Sequence, residues 1–517
     1  VAALYERLRE DAALHPDTMD HRHGAWAQLL ALWRLTHRGA PDLGAVARGG
    51  SLFDPSRFPF LEGRTTETDP IIVPLIPDGT VYRVLEQLLV LDGERLSYRA
   101  LDVEHIGSVY EAMMGFRIEV ARGTSVAIRG QGALGAPVTI ALEDLLAQAP
   151  NARATWLDKG TGRAPTGNAL AALRAARTID DAHGAIERLI DRRSPPDRAP
   201  TGALVLPVVN EAATPEIVPA GHLVLFPSDE RRASGSHYTP RTLTAPIVKR
   251  TLDPQLDRLR PAPHVSPTAD AILRLKVCDP AMGSAAFLVE TCRYLGDAVV
   301  QAWATHGGRP EIPTDEDEAV QARRLVAQKC IYGVDRNPMA VELAKVSIWL
   351  ATLARDHPFT FIDHALRHGD SLVGLSDRQL QGLNWDASAT PLAWLLPEID
   401  AARDRLAQAR GAIRDAREDE NHETLARLLT DADAAAADVQ FFGDVVISAF
   451  FDADKPATRR NLLEGRTFGL QGDRGASLRA ALLARRTAHP PFVPFHWHVV
   501  FPEVFDRRDP GFDAFVG

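Results

Sequence analysis

Apolar positions recur at helical spacing through the first forty residues: Leu4, Leu8 and Leu14, then Trp26, Leu29, Leu30 and Trp33. A loop rich in Gly, Pro and Asp is expected over residues 39–79, followed by helices over 81–91 and 101–114. Residues 117–128 alternate apolar and polar positions and predict a strand. Between 149 and 200 two short helices are expected, over 169–177 and 180–190. The apolar runs 203–209 and 222–226 predict short strands. Residues 1–230 thus read as a mixed, mostly helical N-terminal region of one or two subdomains. Nothing in them names a chemistry.

The pattern changes near Arg231. A short apolar run at 273–278 leads into a helix over 285–303, a helical stretch over 314–328, a second strand at 330–334 and a helix over 338–353. Strands alternating with helices predict parallel pairing and an α/β sheet. Residues 397–441 are rich in Ala, Arg, Asp and Leu with a polar break near Asn421, and predict a helical hairpin inserted into the sheet domain. A basic, Gly-containing stretch follows at 459–486. Residues 512–517 read as an apolar strand. No internal repeat is visible.

Composition narrows the class. The chain has 517 residues, formal charge −10, 45% hydrophobic and 24% charged residues, a balance that argues against a mainly disordered or fibrous protein. No unbroken apolar run reaches the roughly 18 residues of a membrane span, so no membrane partner is expected. Three cysteines, Cys278, Cys292 and Cys330, exclude a disulfide scaffold, match no zinc spacing and point to a reducing, cytoplasmic setting. The mild acidity leaves room for a local basic groove that binds nucleic acid.

Four pieces carry candidate chemistry. Val277-Cys278-Asp279-Pro280-Ala281-Met282-Gly283-Ser284 is a strand running into a turn of small residues at a helix start. Backbone N–H groups there can approach a ligand closely, and Asp279 can accept from a cationic or amine-bearing group. An ordinary turn with Asp279 as helix cap is the alternative. Val334-Asp335-Arg336-Asn337-Pro338 places an acid at the end of the second strand, where nucleotide-binding α/β folds accept ribose hydroxyls, unless Asp335 merely caps the helix that follows. The gap between the two acids exceeds the roughly twenty residues of a dinucleotide fold, and the helical stretch at 314–328 accounts for the excess. His368-Gly369-Asp370-Ser371-Leu372 puts a third acid at the same edge, unless it is a plain Asx turn. Ser234-Gly235-Ser236-His237-Tyr238-Thr239-Pro240 precedes a helix and offers hydroxyls and N–H groups suited to a carboxylate.

In this order the four pieces resemble the gamma-type S-adenosylmethionine-dependent amino-methyltransferases of DNA, and among them the large adenine-N6 enzymes of type IIG and of DISARM-like or BREX-like phage-defence systems. The resemblance covers roughly residues 231–517. It implies a Rossmann-like methyltransferase domain with S-adenosyl-L-methionine as cofactor and double-stranded DNA as substrate. By the same resemblance Tyr238, Thr239 and Pro240 hold the methionine part. Asp279, Pro280, Ala281, Met282, Gly283 and Phe287 form the principal cofactor loop. Asp335, Arg336 and Asn337 take the ribose and adenine end, and Asp370, Ser371 and Leu372 hold the adenine. The segment from Phe495 to Phe505 resembles one that these enzymes carry shortly before their catalytic motif, and 96–111 resembles an N-terminal segment of defence-locus methylases.

The likeness has two departures. Position 285 is Ala where the family commonly has Gly, a strain of about a kcal/mol or more if that residue takes positive φ. The catalytic Asn/Asp-Pro-Pro-aromatic motif is not found within the sequence, so it and a target-recognition domain are expected beyond Gly517, and no catalytic residue is assigned. The implied role is host marking in a restriction-modification or phage-defence system, with other defence proteins as candidate partners. A methyltransferase-like DNA-binding or sensing module without catalysis is the alternative. A nicotinamide oxidoreductase is disfavoured by the lack of Gly-x-Gly-x-x-Gly. No nuclease motif stands out in 1–230. DNA contacts are expected to draw on Arg231, Arg232, Arg241 and the stretch 459–486, with solvated surface charge as the plainer role for any one of them.

Overall fold

The structure, a computed structural model, describes residues 1–45, 47–49, 53–66, 68–91, 94–95, 116–121, 123–129, 137–162, 164–189, 217–221, 223–227, 239–310, 317–352, 360–416, 422–468, 470, 473–486, 488 and 491–517. The expected helix at 101–114, strand at 203–209, the defence-methylase-like segment 96–111, Arg231, Arg232 and Tyr238 lie outside these residues. The chain divides into two compact units: residues 1–83 with 100–107 and 238–517, and residues 84–99 with 108–237.

The second of these units contains more strand than the sequence pattern predicts. The single strand expected at 117–128 is two, Phe116–Val120 and Ser125–Arg129, broken at a turn that includes Gly123. The first pairs antiparallel with Leu223–Pro227, the second with Pro137–Ala141 and Ile217–Val218. Four short helices, Leu142–Ala147, Arg153–Thr161, Gly167–Ala175 and Ile179–Glu187, pack beside them. The buried Arg153 guanidinium donates to the carbonyls of Leu146, Gln148, Leu173 and Ala176, satisfying helix ends that would otherwise be orphaned.

In the other unit the first forty residues form two helices, Ala2–Leu14 and Ala25–Arg38, separated by a short 3₁₀ turn. Its centre is a four-stranded parallel sheet. The strands are β1 (Val277–Asp279), β2 (Ile331–Asp335), β3 (Leu366–His368) and β4 (Ala514–Phe515), in the spatial order β3-β2-β1-β4. The order reverses direction between β1 and β4, which is where open parallel sheets leave a crevice at their carboxyl ends. Helices α1 (Arg241–Arg258), α2 (Ala286–His306), α3 (Glu318–Lys329) and α4 (Pro338–Ala351) supply one apolar layer. Side chains alternate along each strand. Val277 and Ile331 enter the core shared with these helices, while Cys278, Tyr332 and Val334 pack on the other face against Phe495, Phe501 and Val504.

The helical hairpin is longer than expected at 397–441: α5 is Leu396–Asp415 and α6 is His422–Phe451. The Ala-rich pattern continues through the apolar run at 445–451 with no breaker. Within Glu423–Phe451 an 18-residue window of mean hydropathy 1.4 is long and apolar enough, by length and composition alone, to cross a membrane; it holds no unbroken apolar run of that length, and 56% of it is buried inside the protein, as in a core helix. Its apolar residues Ala436, Val439 and Val446 are buried in the core of the insertion, and Val445 is buried with Leu482 of a later helix. The basic stretch 459–486 is helical. It forms α7 (Pro456–Phe468) and α8 (Asp473–Arg486), and four of its arginines turn to acids of α6 or to Asp452 just past its end. Arg466 and Arg485 pair with Asp452 (2.7 and 3.0 Å), Arg486 with Asp444 (2.6 Å), and Arg479 with Asp438. The three cysteines are free and buried.

Candidate functional site

Asp279 closes β1 at the carboxyl edge of the sheet, 2% exposed. Its Oδ1 accepts the Ala281 N–H (3.0 Å), which folds the chain back over the strand end. The turn then reaches sideways to β2. The Met282 N–H donates to the Val334 carbonyl (3.1 Å), and the Gly283 N–H to Asp335 Oδ2 (2.9 Å). Met282 lies across Gly333, where a Cβ would collide with its sulfur. The tips of β1 and β2 are thereby one hydrogen-bonded unit.

Two residues of this turn are left-handed, Gly283 (φ +53°) and Ala285 (φ +69°). Ala285 carries the strain anticipated for it, roughly 1–2 kcal/mol, partly offset by its fully buried methyl. At Gly283 no atom lies within 4 Å of where a Cβ would sit, so the requirement for glycine comes from the backbone and the space beside it is open. Gly283→Ala is expected to destabilise the protein by about 1–2 kcal/mol, read as a shift in the urea unfolding midpoint at unchanged slope.

Asp335 Oδ1 accepts the Asn337 N–H (2.8 Å). The helix cap that follows is Asn337 itself, whose side-chain oxygen accepts from Met339 N–H (2.9 Å) with Pro338 at the first helical position. Asp335 is therefore not the cap. Burial raises both acids. Asp279 is pushed up to about 7, with the Ala281 N–H pulling the other way and the Asp335 charge adding to the rise. Asp335 is raised by burial against the N–H groups of Asn337 and Gly283. Among the described residues neither carries a salt bridge. Two desolvated carboxylates without a cation, beside open space, suit a ligand bearing positive charge and hydroxyl or amine donors.

The third tip joins through the backbone: Gly369 N–H donates to Asp335 O (2.9 Å), and Arg336 Nε stands 3.8 Å from Asp370 Oδ2. Asp370 Oδ1 accepts the Leu372 N–H (3.2 Å), the Asx turn that was the plainer alternative. Leu372 is 92% exposed. Of the pre-sheet turn, Thr239 and Pro240 are described, and Pro240 caps α1 through its carbonyl, which accepts from Leu243 and Thr244. Arg241 pairs with Glu290 on α2 (3.1 Å), one turn beyond Phe287. This brings the start of α1 beside the first turns of the helix that leaves the Asp279 loop.

Two further neighbours stand at the strand tips. Gly517 lies against Asp279, where a Cβ would stand 3.3 Å from Oδ1, because β4 runs parallel beside β1 and the Val516 N–H donates to the Cys278 carbonyl. Residues 493–497 line the third tip. Phe495, His496 and Trp497 fall in the segment whose resemblance sets it shortly before a catalytic motif, while Val493 and Pro494 carry no signal in the sequence. No metal cluster of His, Cys, Asp or Glu occurs among the described residues.

Residues 222–378, which span all three strand tips, match the family described as N-6 DNA Methylase. A protein of Methanocaldococcus jannaschii named as a type II restriction enzyme and methyltransferase is 23% identical over an alignment covering 30% of this chain and 16% of that protein. The chain thus spans about a sixth of the length of that relative. No solved structure matches the chain.

Proposed function

We propose that this chain supplies the cofactor-holding part of an S-adenosylmethionine-dependent DNA methyltransferase acting on adenine N6, in a restriction-modification or phage-defence setting. The observation that carries the reading is the clasp of Asp279, Gly283 and Asp335 across the tips of β1 and β2, beside the point where the strand order reverses, within the stretch that matches the N-6 DNA Methylase family. The order β3-β2-β1-β4 matches one half of a doubly wound, Rossmann-like sheet together with the first strand of the other half. The fit is chemical: the cofactor brings a sulfonium and an ammonium group, which answer buried carboxylates that have no cation of their own, and ribose hydroxyls that can donate to them.

When bound, the cofactor supplies a methyl group on a positively charged sulfur, ready for transfer to an amine. The residues of this chain bind and orient. Asp279 would hold positive charge near the β1 tip, Asp335 would accept from the ribose while keeping Gly283 in place, and the Asp370-Ser371-Leu372 turn would border the base. Thr239 and Pro240, with Tyr238, would close the methionine side. Holding a cation at fixed range from a second reactant is how such a site contributes to rate. A base inside a duplex must be extruded to reach it. The residues that hold the target amine, the DNA sequence recognised, the defence partners and a cytoplasmic setting belong to the same proposal.

The test is calorimetric binding of S-adenosylmethionine, followed by transfer of labelled methyl to DNA with the full reading frame. Asp335→Ala is expected to weaken binding by about 10–100-fold, the worth of hydrogen bonds to a charged acceptor. Unchanged affinity would remove Asp335 from the site. Cofactor binding without methyl transfer would favour a sensing module.

A further inference from the structure

We propose that His496, fixed by Asp444 of the helical insertion, is a positioning residue that sets the shape of the Asp370-Ser371-Leu372 turn; its consequence for cofactor affinity rests on the reading above. Residues 493–497 are sewn to this turn from both sides. The Asp370 N–H donates to Val493 O (2.8 Å), the Phe495 N–H to Val373 O (2.7 Å), and Trp497 Nε1 to Ser371 O (3.0 Å). Two glycines permit the approach: a Cβ at 369 would stand 2.6 Å from the Phe495 ring, and one at 374 would collide with the Phe495 carbonyl.

His496 anchors this strap. It is 2% exposed, and its Nδ1 accepts the Leu375 N–H (3.1 Å). An Nδ1 that accepts fixes the ring proton on Nε2, which then donates to Asp444 Oδ1 (3.3 Å). Asp444, 3% exposed, is held in turn by Arg486 of α8 (2.6 Å). A Cβ at Gly443 would lie 2.5 Å from the imidazole, so α6 is shaped to receive the ring. A continuous chain of contacts therefore runs from α8 through α6 and His496 to the backbone of the third strand tip. The insertion is tied to the site, although none of its residues lies among the three acids.

The two ring nitrogens separate positioning from packing. Asn at 496 places an oxygen near the level of Nδ1 and keeps the Leu375 acceptor. Gln reaches the level of Nε2 and keeps the Asp444 contact, but offers nothing to Leu375. Amide hydrogen exchange over residues 369–375 and calorimetric binding of S-adenosylhomocysteine are measured on the whole protein. For His496→Gln, exchange is expected to speed up about tenfold and the Kd to rise about tenfold, the equivalent of one lost hydrogen bond. His496→Asn, which keeps the Leu375 acceptor and gives up only the Asp444 contact, is expected to lose about threefold in both. Parent-like exchange in His496→Gln, or equal losses in both variants, would overturn the proposal. The exchange readout stands without ligand. Failure of the parent to bind S-adenosylhomocysteine would overturn the cofactor reading, while the difference between the two variants in exchange would still uphold the positioning role.

Discussion

Glu503→Ala is expected to destabilise the protein by about 3–5 kcal/mol. Glu503 and Arg410 form a bidentate pair beneath the sheet: Nε to Oε2 and Nη2 to Oε1, both 2.8 Å, at 6% and 1% side-chain exposure. Tyr332 of β2 donates its hydroxyl to Glu503 Oε1 (3.0 Å), and Arg410 also donates to the His364 carbonyl (2.5 Å) while lying over Phe501. The pair fastens α5 to the strand that ends in Asp335. Removing the carboxylate leaves a guanidinium buried without counter-charge, the costly half of breaking a buried pair. Replacing both partners, Arg410→Met with Glu503→Gln, is expected to recover at least half the loss, because no unpaired charge remains. The pH dependence has a definite sign. Arg410 and the hydrogen bonds hold Glu503 down to about 2 against its burial. Its contribution is thus fully present above the unfolded value near 4.3 and is lost as pH falls through about 2. Urea titrations of the variants at neutral pH and of the parent across this window read both effects. A cost under about 1 kcal/mol for Glu503→Ala would show that the pair does not secure the hairpin.

What sequence reasoning could see follows the range of the interactions. The acids at 279, 335 and 370 sit at strand ends because strand, small-residue turn and helix are local signals, and the structure places all three at one sheet edge. The hairpin was visible from its Ala and Leu periodicity, though not its true end. Its second helix, helical through Phe451, buries Val445, Val446 and Ala449 among partners distant in sequence. The arginines of 459–486 show the limit most clearly. Arg466, Arg479, Arg485 and Arg486 pair with Asp438 and Asp444 of α6 and with Asp452 just past its end. No spacing rule announces pairs across two helices. Arg410–Glu503, 93 residues apart, is invisible for the same reason. Ala285 is a different case. Its residue type argued against positive φ, and the turn imposes it because Ala285 must leave the Asp279 loop and enter α2 at once.

Asp279→Asn is expected to abolish most cofactor binding, by about 100-fold or more, and at the same time to stabilise the free protein at pH 8. The opposite signs have one cause. Asn keeps an acceptor for the Ala281 N–H but removes a carboxylate that burial has pushed up to about 7. That folded value lies above the unfolded one near 3.9, so the folded protein holds the proton more tightly between about pH 4 and 7. Stability from this group is greatest at the acid end of that window, falls as pH rises through it and levels off above about 7. Forcing the charged form at pH 8 costs on the order of 2–4 kcal/mol, which the neutral amide avoids. A bound cation offsets the same cost, and so the free protein tolerates a destabilised group whose charge the ligand uses. Below about pH 7 binding must first expel the proton, and affinity is expected to fall about tenfold per pH unit. Calorimetry in buffers of different ionisation enthalpy should then show proton release on binding at pH 6 and little at pH 8. Affinity that stays flat from pH 5.5 to 8, or Asp279→Asn binding like the parent, would place the positive charge of the ligand elsewhere than at the tip of β1.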